Sequence, residues 1–347
     1  DKFDDFWAAN WWSTTTRPLV RTLFALQIEF LGRSTTASHA INLLIHLSCV
    51  AGIACVLDLV LQHRFGNWSP SKRNLVVGAA ALLWAVHPLT TTTVTYVIQR
   101  YESTAAMWMI WSLYCWLRAY TRSSLKEDGA DCDESDSNAT SRTRKTPLIT
   151  WWIASLLLGL FAFASKESSA GLPLILLLFD RSVLGASWRD TVGRSLGLVL
   201  LTLPVLLGIV LKLPILFGER SLKSTVGFNM EGIGTFEYIL SQPIVYLRYL
   251  KLLFFPSDLV LDYGWIPSDF ASILSLGAIG WVVLIVFSVR CWRRCPLAGA
   301  AVVSALLVLA PTSFIPTQDI IFEHRVYLPS ALIICALIVT AASMDWF

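Results

Sequence analysis

The chain has few charged residues and no cysteine pattern that would suggest disulfide bonds. Charged residues make up 15% of its 347 residues, whereas a soluble domain carries roughly 25%. Four of the seven cysteines lie inside apolar runs, so a disulfide framework is not indicated. The net charge of +3 comes from basic residues in short loops and gives no sign of a nucleic-acid partner. An ordinary soluble domain is therefore excluded.

Long apolar runs are what the sequence has in excess. Hydrophobic residues make up 55% of the chain and the mean hydropathy is +0.61. The runs hold about 16–22 residues, which is near the length a helix needs to cross a bilayer. Unalternating runs of this length indicate helices, since only helices and closed barrels satisfy their backbone groups in lipid. We predict an all-α polytopic membrane protein with about nine transmembrane helices, near 40–61, 75–90, 103–118, 148–164, 169–180, 195–217, 273–289, 296–311 and 326–344.

The distribution of basic residues predicts the orientation of these helices. Lys and Arg favour the cytoplasmic side. More than half of the 27 Lys and Arg residues fall in four alternate loops, which we therefore predict to be cytoplasmic: 62–74, 118–147, 181–194 and 290–295. The remaining loops would face the periplasm or the ER lumen. They are 1–39, 88–102, 165–168, 218–272 and 312–325.

We predict that residues 1–347 form a single membrane-embedded domain. The polar segment 121–147 has mixed charge and few apolar residues, which predicts a disordered cytoplasmic linker. In the long outside loop 218–272, apolar residues of 231–255 recur every three or four positions. They predict an interfacial helix, interrupted near Pro243. Because the first residue of the outside loop 1–39 is predicted to face the outside, we also expect a span to precede it.

Polar residues near the membrane edge collect almost entirely on the predicted outside face. An ionisable side chain costs on the order of 3 kcal/mol at a helix centre, so such residues are usually functional. The residues that define this face are Asp4, Asp5, His39, Asn42, His46, His87, Gln99, Arg100, Glu102, Lys166, Glu167, Asp262, Tyr263, Glu323, His324 and Arg325. We therefore expect the functional site there.

The imidazole and amide residues of this face have two interpretations. His39, Asn42 and His46 lie at i, i+3 and i+7, so they share one helix face. They could bind a metal or, as we favour, form hydrogen bonds between helices. His87 precedes Pro88 and should end a helix, since proline disfavours the helical conformation in the residue before it. For His39, Asn42, His46, His87 and Asp262 we expect a structural or an acceptor-side role.

The charged residues of this face can also be interpreted in two ways. Lys166 and Glu167 could form a local ion pair, or Lys166 could bind a phosphate while Glu167 orients it. The same alternatives hold for Arg100 and Glu102 in VIQRYESTA. Arg325, flanked by His324 at the start of an apolar run, is suited to clamp a phosphate through two hydrogen bonds.

The carboxylates Asp4 and Asp5 precede the aromatic pairs FW and WW. Tryptophan prefers the membrane interface. A carboxylate held there could act as a general base on a hydroxyl acceptor. The alternative is a solvated acidic pair.

Several stretches resemble one known family. Those that carry the resemblance are RPLVRTLFALQIEFLGRSTTASHAINLLIHL (17–47), LLWAVHPLTTTTVTYVIQRYESTAA (82–106), FASKESSAGLPLILLLFD (163–180), YLRYLKLLFFPSDLVLDY (246–263) and PTSFIPTQDIIFEHRVYLPS (311–330). They are similar to the membrane portion of the transmembrane O-mannosyltransferases that target cadherins, and to bacterial relatives with tetratricopeptide repeats. The similarity covers nearly the whole chain in the expected order.

This resemblance implies a C-type glycosyltransferase (GT-C) fold and an inverting transfer of mannose from polyprenyl or dolichyl phosphate to Ser or Thr of a protein acceptor. It implies catalysis by Asp4 and Asp5, and a repeat domain after the membrane part. We expect Arg100, Glu102, Lys166, Glu167, His324 and Arg325 to bind the donor phosphate. Because fixed cations can stabilise the leaving phosphate, no cofactor or metal is expected beyond the lipid-linked donor.

Three alternatives remain open. A transporter or lipid flippase would also gather charges among helices, but it should show an internal repeat and midplane charges. A non-catalytic scaffold would tolerate the loss of Asp4 and Asp5. A third alternative keeps the fold and changes the sugar to another polyprenyl-linked hexose or aminosugar.

Overall fold

The computed structural model is built from helices. It describes residues 17–127, 137–185, 202–203, 207–208, 234–261, 263–265, 270–317 and 319–344, and no strand occurs among them. In chain order the helices are α1 (Pro18–Leu31), α2 (Thr35–Arg64), α3 (Pro70–Ala85), α4 (Pro88–Thr95), α5 (Arg100–Glu127), α6 (Ser137–Phe163), α7 (Leu172–Leu184), α8 (Thr235–Phe254), α9 (Phe270–Arg294), α10 (Pro296–Phe314) and α11 (Tyr327–Ser343). Short 3₁₀ turns occupy Val97–Gln99, Glu167–Gly171 and Glu323–Val326.

Local sequence signals fix where several helices begin. Proline stands in the first turn of α1, α3, α4 and α10, where its missing N–H would have no partner in any case. The Ser34 hydroxyl accepts a hydrogen bond from the Ala37 backbone N–H at the start of α2. Ser69 caps α3 through the Lys72 N–H in the same way.

Four helical stretches are long and apolar enough to cross a membrane. They are Thr35–Arg64, Leu276–Arg294, Pro296–Phe314 and Glu323–Ser343. The pair α3 and α4 qualifies as a fifth if it is counted as one span, although it bends by 59°. The described residues therefore support an all-helical protein with four or five candidate spans, and the nine predicted spans remain a prediction.

The other predicted spans have different outcomes. The segment 75–90 contains a break, because α3 ends at Ala85 and α4 begins at Pro88, as the His87-Pro88 sequence predicted. The segment 169–180 becomes a 3₁₀ turn followed by α7, whose 13 residues extend only about 20 Å. The segment 195–217 lies outside the described residues apart from 202–203 and 207–208.

The predicted linker 121–147 is helical at both of its ends. Helix α5 extends to Glu127 and α6 begins at Ser137, while 128–136 lie outside the described residues. Elongating a helix that already exists costs less than starting one. Leu125, Lys126 and Glu127 also favour helix. Residues 121–127 and 137–147 are therefore helical, although we predicted disorder there from the sequence.

The core lies between α2, α5, α7 and α11. Helix α5 packs against α2 and α6, and α11 packs against α3 and α10. Trp84, Trp116, Leu172, Leu176 and Tyr327 of this core are fully buried. This packing holds the N-terminal ends of α5 and α11 close to the turn that follows α6.

Helix α8 is continuous, so the predicted interruption near Pro243 is wrong. It runs from Thr235 to Phe254 with Pro243 inside. Proline has no N–H, which leaves the carbonyl of Ile239, four residues earlier, without its helical partner. The indole Nε1–H of Trp281 on α9 donates to that oxygen at 2.9 Å. A neighbouring helix thus repairs the defect that proline creates.

Two glycines allow α9 to pack closely on α8. A Cβ atom at Gly277 would lie 1.9 Å from the Leu240 carbonyl oxygen, and one at Gly280 would lie 2.5 Å from the Pro243 Cβ. Contacts this short are not tolerated, so the two backbones meet only because both positions lack a side chain.

We predict that Gly277→Ala destabilises the protein, because the new methyl group collides with backbone. Overpacking of this kind costs about 1–3 kcal/mol. Gly78→Ala on α3 is the matched control, since nothing lies within 4 Å of its added Cβ. The midpoint of thermal unfolding in detergent should fall for Gly277→Ala alone. Equal midpoints for the two variants would contradict the close packing of α8 on α9.

Candidate polar site

Buried polar side chains collect where three segments meet at one end of the helical bundle. The segments are the start of α5, the turn between α6 and α7, and the 3₁₀ turn Glu323–Val326. Arg100, Glu102, Lys166, Glu323, His324 and Arg325 are all buried there. Five of the six predicted donor-site residues, all except Glu167, are fully or almost fully enclosed, so their partners decide what they can do.

Arg100 is enclosed by neutral partners. Its Nε donates to Asn42 Oδ1 at 2.7 Å and its Nη1 to Gln27 Oε1 at 2.7 Å, while Nη2 donates to the Ser38 carbonyl at 3.1 Å. The guanidinium lies over the Phe24 ring, 4.3 Å from its centroid. Burial lowers the pKa of Arg100 to about 10. These contacts tie α1 and α2 to the start of α5, and they leave Arg100 no access to a ligand.

Glu102 and Lys166 form a buried ion pair. The Lys166 amine donates to Glu102 Oε2, and the Ser168 hydroxyl donates to Oε1 at 3.2 Å. Burial lowers the pKa of Lys166, and the neighbouring Glu102 carboxylate opposes that shift. The pair joins α5 to the turn after α6, two segments that are distant in the chain.

Glu167 pairs with Arg17 near the surface. The Arg17 Nε and Nη2 lie 3.0 and 2.9 Å from Glu167 Oε2, and about a third of each side chain is exposed. Arg17 also lies over the Tyr101 ring. Of the two interpretations of Lys166 and Glu167, the local ion pair is therefore wrong, because Lys166 pairs with Glu102 and Glu167 with Arg17.

Glu323 anchors the 3₁₀ turn to two other segments. Its Oε1 accepts from the Val260 N–H and the Tyr263 hydroxyl, both at 2.8 Å, and its Oε2 accepts from the Thr92 hydroxyl at 2.7 Å. Burial raises the pKa of Tyr263 to about 12, and the hydrogen bond to Glu323 contributes to that shift. The phenol therefore stays protonated and donates. The carboxylate fixes the turn against α4 and the segment after α8.

Arg325 is held by backbone oxygens and has no carboxylate partner among the described residues. Its Nη1 donates to the Ile320 carbonyl at 2.9 Å, and its Nη2 donates to the Asp319 carbonyl at 2.8 Å and to the Thr317 hydroxyl at 2.9 Å. The guanidinium lies 5.3 Å from the centroid of the Phe322 ring. Because all these partners are neutral, the positive charge of Arg325 is not cancelled.

His324 differs from its neighbours because its ring has no hydrogen-bond partner in the described part of the chain. The side chain is 93% buried, since its relative exposure is 7%, and its ring centroid lies 4.8 Å from that of Phe322. The charged groups that act on it are Lys166, Arg325 and Arg17. The ring nitrogens are not among the fully enclosed atoms that lack a hydrogen bond, so the imidazole is open to a ligand at this end.

His39 and Asn42 separate although they share a helix face. Asn42 is buried and its Nδ2 donates to the Val94 carbonyl at 3.2 Å, besides accepting from Arg100. His39 is exposed. The predicted hydrogen bonding between segments therefore holds for Asn42.

His46 and His87 take part in hydrogen bonds that connect helices. The His46 Nε2 lies 3.0 Å from the Ala85 carbonyl, which can only accept, so Nδ1 accepts from the Tyr327 hydroxyl at 2.7 Å. The His87 Nε2 lies 2.9 Å from the Leu253 carbonyl and must donate to it. Its Nδ1 caps α4 by accepting from the Leu89 N–H. Neither imidazole is available to a ligand.

Three predicted residues lie outside the described residues. They are Asp4 and Asp5, the predicted catalytic pair, and Asp262. Within the described ranges, no group of three or more His, Cys, Asp or Glu side chains is arranged to hold a metal ion.

Sequence reasoning did not assign roles to several residues that the site depends on. Arg17, Gln27 and Ser168 complete the contacts of Glu167, Arg100 and Glu102. Each lies within a stretch that carries the family resemblance, so proximity to the motifs was the available signal. Their partners are far away in the chain and could not be read from spacing.

Comparison of the chain with protein-family models, with curated proteins and with solved structures finds no match.

The arrangement has more uncancelled positive than negative charge. The opposite charges of Lys166 and Glu102 cancel, as do those of Arg17 and Glu167. The positive charges of Arg100 and Arg325 have only neutral partners. Among the described residues of this site, the one negative charge with only neutral partners is that of Glu323. Arg325 lies next to His324, so an anion that reaches the imidazole would also meet this positive charge. The site is suited to bind an anionic group such as a phosphate.

We predict that Glu102→Gln and Lys166→Met each destabilise the protein strongly. Removing one partner of a buried ion pair leaves the other unpaired and costs about 3–5 kcal/mol. The double variant Glu102→Gln/Lys166→Met should lose much less than the two single losses combined.

A matched cycle on Arg17 and Glu167 provides the control. This pair is partly exposed, so its coupling should stay below about 1 kcal/mol. Denaturant unfolding in detergent measures both cycles. Additive losses at Glu102 and Lys166 would contradict the buried pair.

Proposed function

We propose that this chain is a polytopic glycosyltransferase of the GT-C fold. It transfers mannose, or another hexose, from a polyprenyl-phosphate donor to Ser or Thr hydroxyls of proteins, with inversion at the anomeric carbon. The donor phosphate is bound at the end of the bundle that carries His324 and Arg325, facing the periplasm or the ER lumen. The proposal also retains the nine predicted spans.

One observation carries this proposal. The His324 side chain is 7% exposed and its ring has no hydrogen-bond partner in the described part of the chain, and the positive charges of Lys166, Arg325 and Arg17 act on it. A phosphate supplies the acceptor oxygens that an imidazole N–H lacks here, together with the negative charge that Arg325 lacks. The motif resemblance in 17–47, 82–106, 163–180, 246–263 and 311–330 supports the choice of a lipid-linked phosphate.

The six predicted donor-binding residues divide by role under this proposal. His324 and Arg325 contact the phosphate. Lys166 contributes positive charge while its ion pair with Glu102 keeps it in place. Arg100 and Glu167 act through other residues, because Arg100 is enclosed by neutral groups and Glu167 holds Arg17.

The reaction is a single displacement. The acceptor hydroxyl oxygen attacks the anomeric carbon of the sugar, and its proton passes to the carboxylate of Asp5, with Asp4 beside it. The bond between the anomeric carbon and the phosphate oxygen breaks, and its electron pair stays on the polyprenyl phosphate. The fixed positive charge of Arg325 stabilises that developing charge. Fixed cations can fulfil this role without a metal.

We predict that His324→Ala raises the KM for the lipid-linked donor about tenfold, as expected for one lost hydrogen bond to a charged group. The exposed His39→Ala on α2 is the matched control and should leave the KM unchanged. Transfer from radiolabelled polyprenyl-phosphate mannose to Ser/Thr peptides, assayed with the full-length chain, measures both. An unchanged KM in a folded His324→Ala protein would show that the donor phosphate is not bound at this end of the bundle.

We predict that Asp5→Asn lowers kcat about 10²–10⁴-fold, the usual contribution of a general base. The KM for the donor should change little, because the phosphate is held elsewhere. Equal turnover by Asp5→Asn and wild type would remove Asp5 from the mechanism and leave Asp4 to be tested. If wild type transfers no mannose, other polyprenyl-linked sugars are the next donors, and transfer of none would refute the glycosyltransferase proposal.

A further inference from the structure

Helix α9 is the least enclosed of the four candidate spans. Only 11% of its apolar stretch is buried, against 39–44% for the other three. One side of α9 packs on α8 and α10, whereas Leu276, Ile279, Val282 and Val286 are exposed. If α9 crosses the membrane, lipid contacts this open surface.

A groove lies on this open surface near the C-terminal end of α9. Its volume is about 530 Å³, which is within the roughly 300–1,000 Å³ of most ligand sites. The described residues that line it are six exposed side chains of α9, three aliphatic and three basic. They are Ile285, Val286, Val289, Arg290, Arg293 and Arg294. The lining is therefore suited to a ligand that is both apolar and negatively charged.

Helical spacing arranges the six side chains in two neighbouring rows. Residues four positions apart lie on the same face of a helix. The rows are Ile285–Val289–Arg293 and Val286–Arg290–Arg294. Each row begins with an aliphatic side chain and ends with an arginine about 12 Å further along α9. A phospholipid has the same order, because its acyl chains adjoin its phosphate.

The positive charge of the groove has no partner of opposite sign. Residues 270–318 contain no Asp or Glu, so neither α9 nor α10 can supply a carboxylate. Among the described residues, none of the three arginines forms an ion pair. The basic residues of 290–295 also predict that this end of α9 is cytoplasmic. Anionic lipids are enriched in the cytoplasmic leaflet and attract Lys and Arg there, so charge complementarity favours an anionic lipid.

We propose that this groove binds an anionic phospholipid, with its phosphate on the three arginines and the first part of an acyl chain along the three aliphatic side chains. A second copy of the chain fits less well. All copies share one orientation in a membrane, so two α9 helices would bring their arginines together at the same depth. A soluble anion would leave the aliphatic half of the groove uncovered. The site does not depend on the proposed transferase activity, because His324 lies on the opposite predicted side of the membrane.

The first test measures the binding of phosphatidylglycerol and phosphatidylcholine to the full chain in detergent, by native mass spectrometry. Wild type should bind phosphatidylglycerol more tightly, because phosphatidylcholine has no net charge. The triple variant Arg290→Gln/Arg293→Gln/Arg294→Gln should weaken the binding of phosphatidylglycerol about 100-fold, from the loss of about three charges at a membrane surface. Equal affinity for both lipids, or an unaffected triple variant, would overturn the proposal.

A second triple variant is the matched control for net charge. Arg21→Gln/Arg33→Gln/Lys251→Gln removes the same number of exposed positive charges, none of which lines the groove. It should leave the affinity for phosphatidylglycerol unchanged. An equal loss in both triple variants would show attraction by net charge alone, and a dimer that forms only without phosphatidylglycerol would assign the surface to a second copy. Either result would overturn the proposal.

The second test locates the acyl chain. Phosphatidylglycerol with a photoactivatable diazirine near the start of one acyl chain should label the peptide that contains residues 285–289, as peptide mass spectrometry would record. The arginine triple variant should lose this label, and the control triple variant should keep it. Label found only on other helices would overturn the proposal. Competition by glycerol 3-phosphate at the concentration of the lipid would assign the groove to a soluble anion and would also overturn it.

Discussion

The buried ion pair between Glu102 and Lys166 is the interaction on which the polar end of this molecule depends. Neither group can be buried alone at an acceptable cost, so the start of α5 and the turn after α6 must meet. The residues beside them are then fixed as well, because Glu167 reaches Arg17 at the start of α1 and Tyr101 lies beneath that guanidinium. Once this corner is formed, the 3₁₀ turn Glu323–Val326 brings His324 within range of Lys166. Four segments are thus arranged by one pair of opposite charges.

The two enclosed arginines show how the same residue type takes different roles. Arg100 donates to two side-chain amide oxygens and one backbone carbonyl, and these hydrogen bonds attach the start of α5 to α1 and α2. Arg325 has the same kind of neutral partners, but it stands beside an imidazole that has none within the described residues. The difference lies in the neighbour rather than in the arginine. A charged residue in a membrane protein is therefore assigned a role by what surrounds it, and its presence in a motif is not sufficient.

Sequence reasoning found most of the helices and some of the polar contacts. The runs 40–61 and 296–311 match α2 and α10, since apolar length alone decides them, and the break at His87-Pro88 follows from the chemistry of proline. The hydrogen bonds of Asn42 and His46 were also expected, because a polar side chain buried among helices needs a partner. The partner of Lys166 was not predictable, because Glu102 is 64 residues away and spacing favours the adjacent Glu167. Helix at the ends of 121–147 was missed because composition describes an isolated segment, not one that extends a packed helix.

The contact between Trp281 and the Ile239 carbonyl has a consequence for how the protein is made. Helix α8 is synthesised before α9, so the carbonyl that Pro243 leaves without a helical partner has no indole to satisfy it when α8 first emerges. A buried carbonyl without a hydrogen-bond partner costs about 1–3 kcal/mol. Helix α8 should therefore keep this carbonyl in contact with water until Trp281 arrives, and its packing should be completed only once α9 is present. The order in which the two helices assemble therefore depends on Pro243 and Trp281, which lie 38 positions apart in the sequence.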